Sequence, residues 1–173
     1  MKKGNYYTFL GFILIGIICR LVFETFQIDW THTWAYLSFL TILATYYGIY
    51  SQRQNSTEEF DLTMDFKGGA QGGSIFALGY GIFTYIFYKW VHPHFLEIFL
   101  STRRQDIIDR LQETKQNEET IRAALDNFNA FAELIYVPGN LAIITLTSLV
   151  FLSIVYGLIF ATIAKFFPKF VNQ

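Results

Sequence analysis

The chain has 173 residues, of which 53% are hydrophobic, 19% aromatic and only 16% charged, against about 25% charge in an ordinary soluble domain. A net charge of −1 gives no sign of a nucleic-acid partner, whose affinity rests on clustered cations. One cysteine, Cys19, excludes an internal disulfide and a thiolate metal cluster.

Apolar windows of about 20 residues match the thickness of a bilayer's hydrocarbon core. The first runs over 6–23 and follows Lys2 and Lys3. A basic start and an apolar run also describe a signal peptide. Ile18 is branched where cleavage before Cys19 needs a small residue, so a retained helix is expected. Arg20 and Glu24 stand one turn apart near its end and predict an ion pair within the membrane, with Arg20 snorkelling to the interface.

The second window covers 34–50 and the third 72–91. Ahead of and within the third, Gly69, Gly73, Ala77 and Gly81 recur every four residues and share one helix face. Small residues let helix backbones approach in lipid, where apolar contact alone does not drive association. Ser153, Gly157 and Ala161 repeat the pattern in the fourth window, 141–164, so both helices are expected to pack through these faces. Tyr and Trp gather near the window ends, as interfacial belts do. Lys2, Lys3, Arg53, Lys67 and Lys169 lie on one side of this topology, which predicts both termini in the cytoplasm.

Between the third and fourth windows, residues 93–139 change to a helical amphipathic pattern. Asn117 reads as the cap of a second helix whose apolar stripe includes Ile121, Leu125, Phe128, Phe131 and Ile135. Pro138-Gly139 is expected to end that helix. The insertion has five basic and eight acidic residues, a net of −3, so a protein partner on the stripe is favoured over anionic lipid. The whole chain then reads as one all-α membrane domain with four spans and a helical hairpin between the third and fourth.

Chemistry is sparse. His92, His94 and Glu97 form the one cluster of metal-ligand type, and an interfacial helix break explains it better than a zinc site. No catalytic residue, metal or cofactor is expected. Thr41, Thr45, Gln71, Thr145, Thr147 and Ser148 are the polar residues available to line a path in a homo-oligomeric transporter or channel. The span DFKGGAQGGSIFALGYGIFTYIFYKWVHPHFLE, with its small-residue entry, Tyr-rich helix and His-Pro exit, resembles the DUF4199 family of small four-span inner-membrane proteins of Bacteroidota. The resemblance implies a bacterial inner-membrane location and carries no activity with it. By analogy it points to membrane-associated glycosyltransferases as companions. The expectation is a non-catalytic accessory or scaffolding subunit with membrane lipid and integral membrane proteins as partners. An enzyme using His92, His94 and Glu97 is the third alternative.

Overall fold

The computed structural model describes residues 3–26, 31–55 and 61–166. Every regular element among them is helical: α1 (Lys3–Thr25), α2 (Thr31–Asn55), α3 (Leu62–Ile86), α4 (Phe95–Glu113), α5 (Glu118–Ile135) and α6 (Pro138–Phe166). A π-helical turn, Phe87–Val91, continues α3. Lys2 and Lys169, used above for orientation, lie outside the described residues.

Two helical stretches, Tyr6–Thr25 and Pro138–Phe166, are long and apolar enough to cross a membrane. The expectation of four such helices is met only in part. In α2, Thr, Ser and five Tyr or Trp rings dilute the aliphatic content, and its end carries Gln52, Arg53 and Gln54. The third helix starts ten residues before its apolar window, because Asp65, Lys67 and the glycine run are all helical. Pro138 opens α6 rather than merely closing α5, since a first-turn proline loses no intrahelical hydrogen bond.

The chain divides into two compact units. One comprises residues 1–81 and 145–173, and the other Ile82–Ile144. In the first, α1 lies along α2, joined by a Thr8 hydroxyl donating to the Tyr47 oxygen (3.0 Å) and by edge-on contacts of Phe9 and Phe12 with the Tyr47 ring. Backbone proximity joins α2 to α3. A β-carbon on Gly72 would stand 2.6 Å from the Ala44 carbonyl oxygen, and one on Gly48 would overlap the Gly68 carbonyl.

The second unit contains an antiparallel hairpin of α4 and α5. Asn117 caps α5 by accepting from the Thr120 N–H at 2.8 Å, and Glu118 and Glu119 occupy the first turn, where the helix dipole favours acids. The end of α4 is closed by Gln116 N–H to Leu111 O (3.0 Å) and Lys115 N–H to Gln112 O (2.9 Å), with Lys115 in the left-handed region at φ 52. That is a Schellman closure with lysine where glycine is usual.

Candidate functional site: polar groups inside the helical bundle

The first unit is unusual in what it buries. Arg20, Thr33, Thr41, Thr45, Ser51, Arg53, Asp65, Thr145 and Ser153 are all inside it. Leu10, Leu14, Ile15, Ile18, Phe39, Leu78, Phe151 and Leu158 are exposed. Burying charge is costly unless it is paired and hydrogen-bonded.

The strongest pairing is Arg53 with Asp65. Arg53 Nε donates to Asp65 Oδ1 at 2.8 Å and Nη2 to Oδ2 at 2.6 Å, a bidentate fork across the α2–α3 connection. The two side chains are 6% and 2% exposed. Hydrogen bonding to Asp65 pushes the Arg53 guanidinium above its ordinary pKa, against the opposing effect of burial. Arg53 therefore stays charged at any practical pH, and the pair is a fixed staple. Its position at the helix ends masked it in the sequence, where Arg53 counts only toward orientation. The usable signal is an arginine in the last turn of one helix facing an aspartate in the first turn of the next.

Arg20 and Glu24 do pair, Nη2 to Oε2 at 3.0 Å. Arg20 differs from expectation in direction: its side chain is only 4% exposed, so it turns into the bundle rather than snorkelling outward. Glu24, at 22%, retains access to the surroundings. In the same unit the Tyr36 and Tyr80 hydroxyls meet at 2.7 Å, and Phe23 packs edge-on against Tyr36.

Of the small residues singled out in the sequence, Gly69 sits between α2 and α6, where a β-carbon would stand 3.1 Å from Thr45 Cγ2 and 3.2 Å from Gly157 Cα. Gly73 faces Ser153 and the Thr45 hydroxyl. Ala77, Gly81 and Ala161 are buried as well. Gly48 of α2 and the α2-facing pair Gly68 and Gly72 of α3, which meet backbone to backbone, fall outside the predicted set. The doubled glycines of KGGAQGGS carry both sets, one residue out of phase.

The polar residues considered for a path do not share a surface. Thr41, Thr45 and Thr145 are buried, Ser148 is half-buried, and Gln71 and Thr147 are exposed. The Thr41 and Ser153 hydroxyls donate to the carbonyls of Leu37 and Leu149 in their own helices.

In the second unit the histidine cluster does not converge. His92 stacks on Phe87 and meets Phe95 edge-on, while His94 and Glu97 approach to 3.5 Å in full exposure. Among the described residues no three His, Cys, Asp or Glu side chains form a metal-sized group. Of the α5 stripe, Ile121, Leu125, Phe128 and Ile135 are half-buried and Phe131 is exposed. The Arg104 guanidinium donates to Asn129 at 2.8 Å across the hairpin, and a shallow groove of about 130 Å³ runs between Arg103, Ile107, Arg110 and Phe128.

These features define an all-helical protein with two helices able to cross a membrane and a helical hairpin between them in sequence. The chain belongs to the DUF4199 family, described as protein of unknown function, whose sequence model matches residues 6–165. No curated protein and no solved structure matches it.

Proposed function

We propose that the chain is a four-span protein of the bacterial inner membrane, with both termini cytoplasmic, and that it serves as a non-catalytic accessory subunit of a membrane-protein complex. In this reading α1, α2, α3 with its π-helical turn, and α6 cross the bilayer, and the hairpin projects from the outer leaflet. The arrangement of the first unit supports the membrane placement, because its buried charges Arg20, Arg53 and Asp65 are paired while aliphatic side chains face outward. The aromatic and threonine content of α2 and the glycines of α3 suit helices enclosed by protein more than by lipid.

The observation that carries the accessory role is the surface of hairpin residues 99–130. No large hydrophobic side chain is exposed there, and Arg103, Arg104, Asp109, Arg110, Glu113, Lys115, Glu118, Glu119, Arg122 and Asp126 all are. Because α4 covers most of the α5 stripe, this mixed-charge surface takes over the docking role from the apolar stripe. Charged surfaces steer and orient partners more than they add raw affinity. An integral membrane protein is the expected partner, with membrane-associated glycosyltransferases as the class the family resemblance suggests.

The test is purification from native membranes in mild detergent followed by native mass spectrometry. A larger assembly that dissociates when Arg103 and Arg110 are changed to Glu supports the role. A particle of one 20.1 kDa chain in every gentle detergent overturns it.

A further inference from the structure

The exposed apolar residues of the second unit are confined to one end of it. Ile82, Ile86, Trp90, Val91 and Ile98 precede residue 99, and Phe131, Leu134, Val137 and Ile143 follow residue 130. Between those limits there are none. Since α4 and α5 run antiparallel, Ile98 in the first turn of α4 and Phe131 and Leu134 in the last turns of α5 lie at the same end of the hairpin. Arg104 bonded to Asn129 and Phe99 packed on Tyr136 at 5.3 Å fix that register.

The boundary between apolar and charged surface therefore crosses both hairpin helices, perpendicular to their length. A helix that lies on a membrane shows the opposite arrangement, an apolar face along its whole length. Here the apolar zone is a collar about one to two turns deep, continuous with Val137 and Ile143 at the entry to α6.

The collar also holds the groups that favour the headgroup layer. Lys89 Nζ lies 4.9 Å from the Tyr85 ring centre and 5.1 Å from that of Trp90, which is 63% exposed. An amphipathic indole and a snorkelling lysine are typical interfacial anchors. The charged residues at this end, Lys89, Glu97 and Glu133, hold no excess of cations, so anionic headgroups have no special attraction.

We infer that the base of the hairpin, Ile98, Phe131, Leu134 and Val137 beside Trp90, is a lipid collar sunk in the headgroup and upper acyl region of one leaflet, with the hairpin standing out of the membrane on it. This rests on the membrane reading above and adds the depth and posture of the second unit. With 19 residues at about 1.5 Å each, α4 is roughly 28 Å long, so the turn at residues 114–117 stands on the order of 20 Å beyond the headgroups. Phe131 then belongs to lipid and is unavailable to a soluble partner.

Cys19 as the only cysteine makes the test direct. In a Cys19→Ser background, single cysteines at Ile98, Phe131, Leu134, Arg110 and Arg122 are spin-labelled, with Leu14 and Leu158 as references. The full chain is placed in nanodiscs of phosphatidylcholine, and accessibility to oxygen and to a water-soluble nickel complex is measured. The inference expects the oxygen-to-nickel ratios at Ile98, Phe131 and Leu134 to approach that at Leu158, and those at Arg110 and Arg122 to be low. Adding phosphatidylglycerol leaves this pattern unchanged.

If Phe131 and Leu134 are reached by nickel while Leu14 and Leu158 are reached by oxygen, the collar is wrong and the membrane reading stands. If Phe131 and Leu134 are reached by neither reagent, protein covers them and the collar is equally wrong. If nickel also reaches Leu14 and Leu158, the membrane reading itself fails.

Discussion

Arg20, Arg53, Asp65 and several threonines and serines are interior residues in the first unit, and leucine, isoleucine and phenylalanine dominate its exposed positions. In hairpin residues 99–130 of the second, charged side chains face outward and the apolar stripe of α5 turns toward α4. Both regions are made of α-helices, so the type of secondary structure does not account for the contrast. The membrane placement proposed above accounts for it: a hairpin in water gains by burying apolar area, whereas helices in lipid gain by close backbone approach and by hydrogen bonds between polar groups. The small residues follow the same division, since Gly48, Gly68, Gly69, Gly72 and Gly73 all lie in the first unit at close helix contacts.

The contrast is broken most severely at the buried fork. Asp65→Ala leaves Arg53 charged and enclosed, and removing one partner of a buried pair costs about 3–5 kcal/mol. Thermal unfolding in detergent is expected to show a large drop, and the double change Arg53→Leu with Asp65→Leu to recover much of it. Equal losses in the single and double variants would mean that the fork is not a coupled pair.

Close helix approach comes next. Gly48→Val drives a side chain into the Gly68 carbonyl, where overpacking costs about 1–3 kcal/mol. Gly139→Ala is the internal control, because nothing lies within 4 Å of the position a β-carbon would take. It is expected to be neutral or slightly stabilising, alanine being the better helix former by up to about 1 kcal/mol. Thermal unfolding of the two variants side by side separates contact from propensity.

How much of this was readable beforehand follows from the same physics. Helices α1 and α6 are visible because continuous apolar runs need no knowledge of neighbours. Asn117 is visible because capping is local to four residues. Arg53 and Asp65 are 12 positions apart and meet only once α2 and α3 fold back on each other, so their pairing depends on tertiary structure. Gly68 and Gly72 were in plain view. Their run contains two four-residue repeats, and only the fold shows that Gly68 and Gly72 meet the α2 backbone.

In the hairpin the expected effects are smaller, because water is available to any group that loses its partner. Asn117→Ala removes the acceptor for the Thr120 N–H and hydroxyl, and loss of such a cap costs about 1 kcal/mol. Amide exchange is expected to quicken in α5 and to stay unchanged in α1 and α2, which belong to the other compact unit, if the two units open independently. Matching acceleration in α2 would merge them into one cooperative unit.

The smallest effect has the opposite sign. Lys115 holds φ 52, a conformation that costs an L-residue about 1–2 kcal/mol and costs glycine little. Its N–H and that of Gln116 close the end of α4 whatever side chain is present, so Lys115→Gly keeps both hydrogen bonds. Glycine also loosens the unfolded chain, which offsets part of the gain. The net expectation is a stabilisation of about 0.5–1 kcal/mol, read as slower amide exchange at Gln116 and in the last turn of α4. A lysine where glycine would fold better has no account in the hairpin's own stability. Because residues 113–119 hold the part of the hairpin farthest from its apolar end, the Lys115 charge is available to a partner there. A Lys115→Gly variant that is more stable yet loses its complex in native mass spectrometry would tie that charge to docking. One that is more stable and keeps its complex would place the contact elsewhere on the hairpin.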